Sequence, residues 1–414
     1  MEQKQVVIIG GGPAGLAAAV KLYEEGIRDL LIIERESALG GILRQCIHDG
    51  FGLSRFGETL SGPEYAQRFI DQVLKLEIPF LTGTTVIDIS SDADGKVVTA
   101  SSSEGIVQYN ADAIVLAMGC RERTRHALSI PGTRPAGVYT AGVAQSYVNL
   151  QNMMPGKDVV ILGSGDIGLI MARRMTLEGA KVLGVFEIQL YPSGLPRNIE
   201  QCLNDYGIPL YLSHTVVDVH GESRLSGVTV AQVNEQFEPI PGTEVTYSCD
   251  TLILSVGLIP ENEISLSAGV ELDVRTKGAL VDEDYQTNVD GIFAAGNVLH
   301  VHDLVDFVSL ESERLAKAVT NYISSAARAD RVQIPVVSDQ MIGYTVPQNV
   351  SGEQDFVLSM RVRRPLKNCI IEIKADDRCV KTVRMKKALP AEMIQIPLTA
   401  QAVRGAGKVE VNII

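Results

Sequence analysis

The sequence predicts an α/β protein: two doubly wound units of parallel strands and helices, followed by a small β-rich domain. Three observations carry that expectation. An apolar strand, a glycine-rich turn, a helix and a second strand occur in that order at residues 6–34 and again at 159–187. Three further apolar runs, 113–119, 251–257 and 291–296, each stop at a glycine. After about residue 334 the pattern changes to short alternating segments separated by turn residues, as in a small β-sandwich.

The first unit reads Val6-Val-Ile-Ile-Gly10-Gly-Gly12-Pro13-Ala14-Gly15, then a helix over residues 16–25 and a strand over 30–34 that ends at Glu34. The second reads Val159-Val-Ile-Leu-Gly163-Ser-Gly165-Asp166-Ile167-Gly168, then a helix and the strand 181–187 ending at Glu187. Gly10 and Gly163 permit the tight turn, Gly12 and Gly165 let backbone approach a pyrophosphate, and Gly15 and Gly168 let helix pack on strand. Phosphates then sit at a helix N-terminus, where free N–H groups and the helix dipole favour negative charge. Glu34 follows Gly15 by 19 residues and Glu187 follows Gly168 by 19, both placed to accept hydrogen bonds from a ribose diol. An ordinary glycine-rich turn would lack that strand, helix and carboxylate context. Two Rossmann-like dinucleotide-binding domains are therefore expected. Glu187 repels a ribose 2′-phosphate, and no arginine follows it before Arg197, so the second site is expected to take NAD(H) rather than NADP(H).

Between the repeats, 78–117 reads as strand-rich, with Ala93-Asp94-Gly95 as a hairpin turn. A helix is expected from about Val308 to Ser325. The expected boundaries are 1–122 and 258–330 for the two parts of the first nucleotide domain, 123–257 for the second, and 333–414 for the β-rich domain.

Composition narrows the classes. Against 50 Asp plus Glu there are 37 Lys plus Arg, a net charge of −13, with 45% hydrophobic and 21% charged residues. Such a chain is not disordered. Its acidity argues against general nucleic-acid or anionic-membrane binding, because either needs a basic surface. Six cysteines are scattered without a Cys-x-x-Cys or zinc spacing, which fits thiols in a reducing cytoplasm. The apolar start is broken by glycines and a proline, and no run of about 20 apolar residues exists to span a bilayer. Charge is uneven. Residues 355–414 hold 12 Lys plus Arg against 6 Asp plus Glu, a balance of +6, while the other 354 hold 25 against 44, or −19.

With these motifs in this order, residues 1 to about 330 resemble the two-dinucleotide-binding-domain flavoproteins, the superfamily of pyridine nucleotide-disulfide oxidoreductases and thioredoxin reductases. The resemblance implies FAD on the first glycine repeat and NAD(P)H on the second, with the FAD domain split around the NAD domain. It also implies that Thr287-Asn-Val-Asp-Gly-Ile-Phe-Ala-Ala-Gly296-Asn297 completes the FAD site. The family has Asp where this chain has Asn297, whose amide can still hydrogen-bond the ribityl or phosphate region. The implied FAD positions are Gly10, Gly12, Pro13, Ala14, Gly15, Glu34, Arg35, Gly41, Val86, Met118, Gly119, Gly296 and Asn297. Those for NAD(H) are Gly163, Gly165, Asp166, Ile167, Gly168, Glu187 and Gly257.

The disulfide reductases carry a redox-active cysteine pair near the flavin. Here the segment Gly40-Gly41-Ile-Leu-Arg-Gln-Cys46-Ile-His48 supplies one thiol, and residues 138–145 supply none, so a dithiol relay is disfavoured. Four segments, beginning at Cys46, Leu60, Met118 and Asn198, look like the flavoprotein encoded alongside anaerobic glycerol-3-phosphate dehydrogenases. More loosely they resemble the alpha subunits of hydrogen cyanide synthase and dye-linked proline dehydrogenase. That closer resemblance implies electron exchange between NAD(H) and a partner dehydrogenase subunit, in an oligomer. A stand-alone NADH oxidase or diaphorase, and a structural subunit that holds nucleotide without hydride transfer, stay open as alternatives.

Few side chains need be catalytic, because hydride transfer requires stacked rings and a tuned flavin more than an acid or base. Cys46 and His48 follow the glycine pair and are candidates to border the flavin; the plainer alternative is a buried small thiol and a structural imidazole. Arg121, Glu122 and Arg123 either pin the crossing between domains or face nucleotide phosphates. Cys120, Cys202 and Cys249 read as packing residues. His300 and His302 lie beside the flavin motif, but the sequence places too few further ligands near them for a metal, and none is expected. The basic C-terminal domain is expected either to dock an acidic partner or to be a stabilising appendage with solvated lysines.

Overall fold

The computed structural model describes residues 2–92, 95–324 and 332–414. They form two compact units, Met1–Cys120 with Pro260–Ile414, and Arg121–Ile259.

In the first unit, Glu2–Ile9 is the middle strand of a parallel layer. It pairs with Leu30–Ile33 on one side and Gly105–Leu116 on the other, and Ile292–Ala294 pairs in parallel beyond. Residues 6–9 and 30–33 are buried on both faces, which explains why they read as unbroken apolar runs rather than alternating ones. The 12-residue strand Gly105–Leu116 joins parallel and antiparallel parts of one seven-stranded sheet: its C-terminal part pairs in parallel with Glu2–Ile9, and its N-terminal half pairs antiparallel with Gly95–Ser102. Thr85–Asp92 then pairs with Gly95–Ser102 as expected for a hairpin, while Ala93 and Asp94 of the expected turn lie outside the described residues.

The helix Pro13–Glu24 starts at the proline, whose missing N–H costs nothing at a helix N-terminus, and buries an almost continuous Ala/Leu/Val face. It packs against the helix Val305–Ser324. That helix begins three residues before the expected Val308; Ser325 lies outside the described residues. Its N-terminus is tied down by Asp306, whose carboxylate accepts the backbone N–H groups of Gly52 (3.0 Å) and Arg55 (2.7 Å).

The second unit has a five-stranded all-parallel sheet: Leu210–Leu212, Lys181–Glu187, Asp158–Leu162, Thr251–Leu254 and Val138–Thr140, in that order. A three-stranded antiparallel sheet of His214–Gly221, Leu225–Gln232 and Val245–Tyr247 shares an apolar core with it.

After residue 332 the alternating segments form two sheets, one of five strands and one of three, around their own apolar core. This is the sandwich-like domain that the period-two pattern predicts. It is bound to the rest of its unit by polar clamps. Arg361 donates to the Val301 carbonyl (3.1 Å) and to Asp303 (3.2 Å). The buried Glu283 carboxylate accepts the Ser351 backbone N–H (2.8 Å) and its hydroxyl. Removing a buried acceptor leaves its donors unsatisfied, at about 1–3 kcal/mol. Glu283→Ala is therefore expected to lower the unfolding free energy measured in urea by about 1–3 kcal/mol, and Glu283→Gln by less; equal stability of wild type and both variants would exclude the clamp.

Candidate functional site

At the first glycine turn, the first and third glycines are required by the protein's own backbone. Gly10 has φ +110°, and a Cβ there would lie 2.4 Å from the Ala117 carbonyl oxygen, beside Met118. A Cβ on Gly15 would lie 1.9 Å from the Gly10 oxygen. Gly12 differs. Its φ of −81° suits any residue, and a Cβ would meet nothing closer than the Gly41 Cα at 3.8 Å.

The second turn repeats this. Gly163 has φ +95° with its Cβ position 2.0 Å from the Ser255 oxygen, and that of Gly168 is 2.6 Å from the Ser255 Cβ. A Cβ on Gly165, at φ −64°, would meet nothing closer than 3.4 Å. Among the described residues, nothing within either unit forbids a side chain at the middle glycine. The open space lies at a helix N-terminus, the arrangement a pyrophosphate uses, so both turns fit a dinucleotide.

Among the other FAD candidates, Gly41, Gly296 and Glu34 lie against the first turn. Gly40 donates its N–H to the Gly11 oxygen (2.8 Å), and Gly41, at φ +55°, closes against Gly12 and Pro13. Gly296 faces Ala14, whose methyl carbon lies 2.8 Å from where a Gly296 Cβ would be. Glu34 is buried; its two oxygens accept the N–H groups of Gly11 (2.7 Å) and Glu36 (2.8 Å), which leaves further lone pairs for a diol. Its carbonyl accepts the Thr84 N–H, two residues before Val86. Arg35 is exposed and 3.8 Å from Glu261. Gly119, at φ +75°, accepts the Glu261 N–H.

In the second unit Glu187 is more heavily engaged. Oε2 accepts from the Ser164 N–H (3.0 Å) and hydroxyl (2.5 Å) and from the Ser193 hydroxyl (2.6 Å), and Oε1 accepts the Gln189 N–H (3.0 Å). Asp166 holds the same loop through the Leu195 N–H (2.8 Å) and the Asn198 amide (2.7 Å). Ile167 lies on the helix Asp166–Leu177 among partly buried apolar neighbours. The Ser255 hydroxyl oxygen accepts the Gly168 N–H (3.0 Å). Gly257, at φ +104°, accepts the Arg123 N–H, and Glu122 accepts the N–H of Gly142 at the start of the helix Ala141–Gln151. Glu122 and the Arg123 backbone thus act locally. Sequence motifs alone do not single out Ser164, Ser193 and Ser255, although Ser164 and Ser255 lie inside two of them.

Asn297 also has partners within the protein. Its Oδ1 accepts the His302 N–H (3.0 Å) and lies 3.3 Å from His302 Nδ1, and its amide nitrogen is 3.5 Å from the Cys120 sulfur. An uncharged amide can serve both as acceptor and donor here, where a carboxylate could only accept.

The histidines also gain a partner that their spacing does not reveal. Glu311, from the buried face of Val305–Ser324, accepts from His300 Nε2 at 2.8 Å, stands 3.4 Å from His302 Nε2, and takes the Gly296 N–H on its other oxygen at 2.8 Å. Three potential ligand atoms therefore converge among enclosed side chains. At 2.8 Å the first contact is a hydrogen bond, and Arg314 and Arg361 already place positive charge around the cluster. Burial by itself would raise the Glu311 carboxyl; His302 and His300 overcome it and hold the group well below the usual carboxylate range. Burial lowers His300, against the opposing pull of Glu311.

Cys46 is half-buried next to Gly62, with its thiol 3.3 Å from the Ile42 carbonyl, and desolvation pushes the thiol up to about 12. It is a thiol at neutral pH and a poor nucleophile. His48 lies against the Phe51 ring (4.9 Å) and the Asp49 carbonyl (3.0 Å). All six cysteines are unbonded; Cys202 and Cys249 are buried, as expected of packing residues.

Two outcomes are expected. Gly12→Ala and Gly165→Ala should leave the melting temperature of the nucleotide-free protein nearly unchanged but weaken FAD and NAD(H) respectively by about tenfold or more. Gly15→Ala should instead impair folding; a Gly12→Ala protein that retains FAD normally would contradict the assignment. For pH, both buried groups act in one direction. The folded protein binds fewer protons than the unfolded chain at His300 below about 6.5 and at Glu311 below about 4.5, so their contribution is present at neutral pH and lost on acidification. The urea midpoint of wild type should exceed that of Glu311→Gln at pH 7.5, and the gap should close as pH falls below 4.5; a constant gap would refute an ionised Glu311.

Residues 4–327 match the sequence profile described as "Pyridine nucleotide-disulphide oxidoreductase". Subunit HcnB of hydrogen cyanide synthase from Pseudomonas protegens is 29% identical over 299 residues, 66% of this chain and 61% of that protein. One of the subunits of opine oxidase from Agrobacterium tumefaciens is 28% identical, over 70% of this chain and 60% of that protein. The chain thus spans about three fifths of the length of these two relatives. Thioredoxin reductase from T. acidophilum has the same fold over 78% of this chain and 99% of its own, with a TM-score of 0.64 at 22% identity. With both glycine turns shaped for dinucleotides, the chain belongs to the pyridine nucleotide-disulphide oxidoreductase family and is an FAD- and pyridine-nucleotide-dependent oxidoreductase.

Proposed function

We propose that this protein is an NADH:acceptor oxidoreductase, the electron-transfer subunit of a substrate dehydrogenase that oxidises glycerol 3-phosphate, an amino acid or a similar small metabolite. The observation that carries it is the pair of glycine turns, each with an internally unexplained middle glycine and a buried carboxylate 19 residues after its third glycine. In this reading residues 1–122 and 258–330 bind FAD, 123–257 bind NAD(H), and 333–414 form an added domain.

Bound FAD supplies the two-electron chemistry. The Gly12 turn and the N-terminus of Pro13–Glu24 would hold its pyrophosphate, and Glu34 its ribose; the Gly165 turn and Glu187 would do the same for NADH. Glu187 disfavours a 2′-phosphate by like-charge repulsion, which supports NADH over NADPH. That Cys46 is the one cysteine of residues 40–48, with none in 138–145, supports transfer without a redox disulfide. That two relatives are named as subunits of larger enzymes supports a partner subunit here.

Adding NADH to the flavin-loaded protein without oxygen is expected to bleach the flavin, with NADPH far slower, and Cys46→Ser and His48→Asn are expected to bleach at the wild-type rate. Admitting air should give only slow turnover. No bleaching would leave a structural nucleotide-binding subunit; rapid oxygen consumption would leave an oxidase.

A further inference from the structure

The C-terminal sandwich has an open side. The 11-residue strand Arg378–Ala388 ends the five-stranded sheet, pairing only with Leu366–Ala375 among the described residues, and Ile394–Leu398 ends the three-stranded sheet. Between these two edges lies a groove of about 420 Å³ lined by Val383, Met385, Met393, Ile394 and Ile396, with one cation, Lys381, and one carboxylate, Glu392, among the same lining. An unpaired strand edge beside apolar pockets is the surface to which an extended segment adds as one more strand.

The charge of this edge says what kind of segment. Lys381, Arg384, Lys386 and Lys387 are exposed and have no carboxylate partner among the described residues, and Lys387 stands directly opposite the exposed Lys367 across the ladder. Like charges placed opposite each other destabilise a strand pair, so the arrangement runs against the domain's own folding. An anionic side chain brought to the edge would relieve it. A second copy of the same edge would add cations to cations, and nucleic acid offers no apolar side chains for the methionine- and isoleucine-lined floor.

We propose that the Arg378–Ala388 edge binds an acidic, extended segment of the partner subunit by strand addition, its apolar residues entering the groove and its alternate acidic residues meeting Arg384 and Lys386 on the other face. This rests on the electron-transfer reading for the identity of the partner, and on the edge itself for the mode of binding.

The probe is a capped synthetic peptide of about ten residues alternating Glu and Val, the length that spans such an edge. Added to the flavin-loaded full-length protein, it should slow amide exchange within 378–388, less so at high salt. A Glu–Ser peptide and a Lys–Val peptide should each bind about tenfold or more weakly, as should the Glu–Val peptide to the Lys386→Glu/Lys387→Glu variant. That variant should melt no lower than wild type, because a carboxylate at position 387 would face Lys367; if it misfolds, the comparison of the three peptides on wild type decides. The proposal fails if 378–388 stays unprotected, if the Glu–Ser or Lys–Val peptide binds equally, or if the edge is covered by self-association seen in sedimentation. It also fails if a DNA oligonucleotide or an anionic vesicle protects it where the Glu–Val peptide does not. Flavin bleaching by NADH in the same preparation separates the two readings: protection without bleaching sinks electron transfer alone, and bleaching without protection sinks the docking edge alone.

Discussion

Backbone must approach backbone at the two glycine turns, and much of each nucleotide unit is arranged around that constraint. A carbonyl within 2.0–2.4 Å of where the first glycine's Cβ would be leaves no room for any other residue, and the third glycine lets the helix settle onto the strand that precedes it. Once those two contacts are made, the helix N-terminus is aimed at a space that the middle glycine keeps open. The same steric demand thus builds the core and shapes the candidate cleft.

Buried carboxylates complete the arrangement. Glu34, Glu187, Asp306 and Glu311 collect backbone N–H groups that would otherwise be left without partners, the first two where a strand ends and the last two from a single helix. A buried charge is tolerated only when so surrounded. The consequence differs between sites. Glu34 retains acceptor capacity for a further donor, whereas Glu187 already takes four, so any ribose bound there would share the carboxylate with Ser164 and Ser193.

The histidine cluster connects the two halves of the first unit in the same way. Glu311 joins the helix Val305–Ser324 to Gly296, and Gly296 in turn abuts Ala14 at the start of the first helix. The C-terminal domain is clamped to this region through Arg361 and Asp303, beside Val301. It is therefore part of the unit that carries the first glycine turn, while its basic outer edge points to a role beyond stability.

Much of this architecture was legible from residue order. Strand, glycine turn, helix and terminal carboxylate are local in sequence, so their spacing predicts the two glycine turns and the helices and strands around them. Alternation at period two likewise predicts the C-terminal strands, because a half-buried strand needs it. What only the tertiary structure decided depends on pairs distant in the chain. Glu311 meets His300 and His302 through a helix packed against a turn, although a glutamate on the stripe of Val308, Ser312 and Leu315 is a sign of burial. Asn297 meets Cys120 and His302, and Lys387 comes to face Lys367. Local spacing determines which backbone conformations are possible; which buried polar groups satisfy one another is settled only when separate elements are brought into contact.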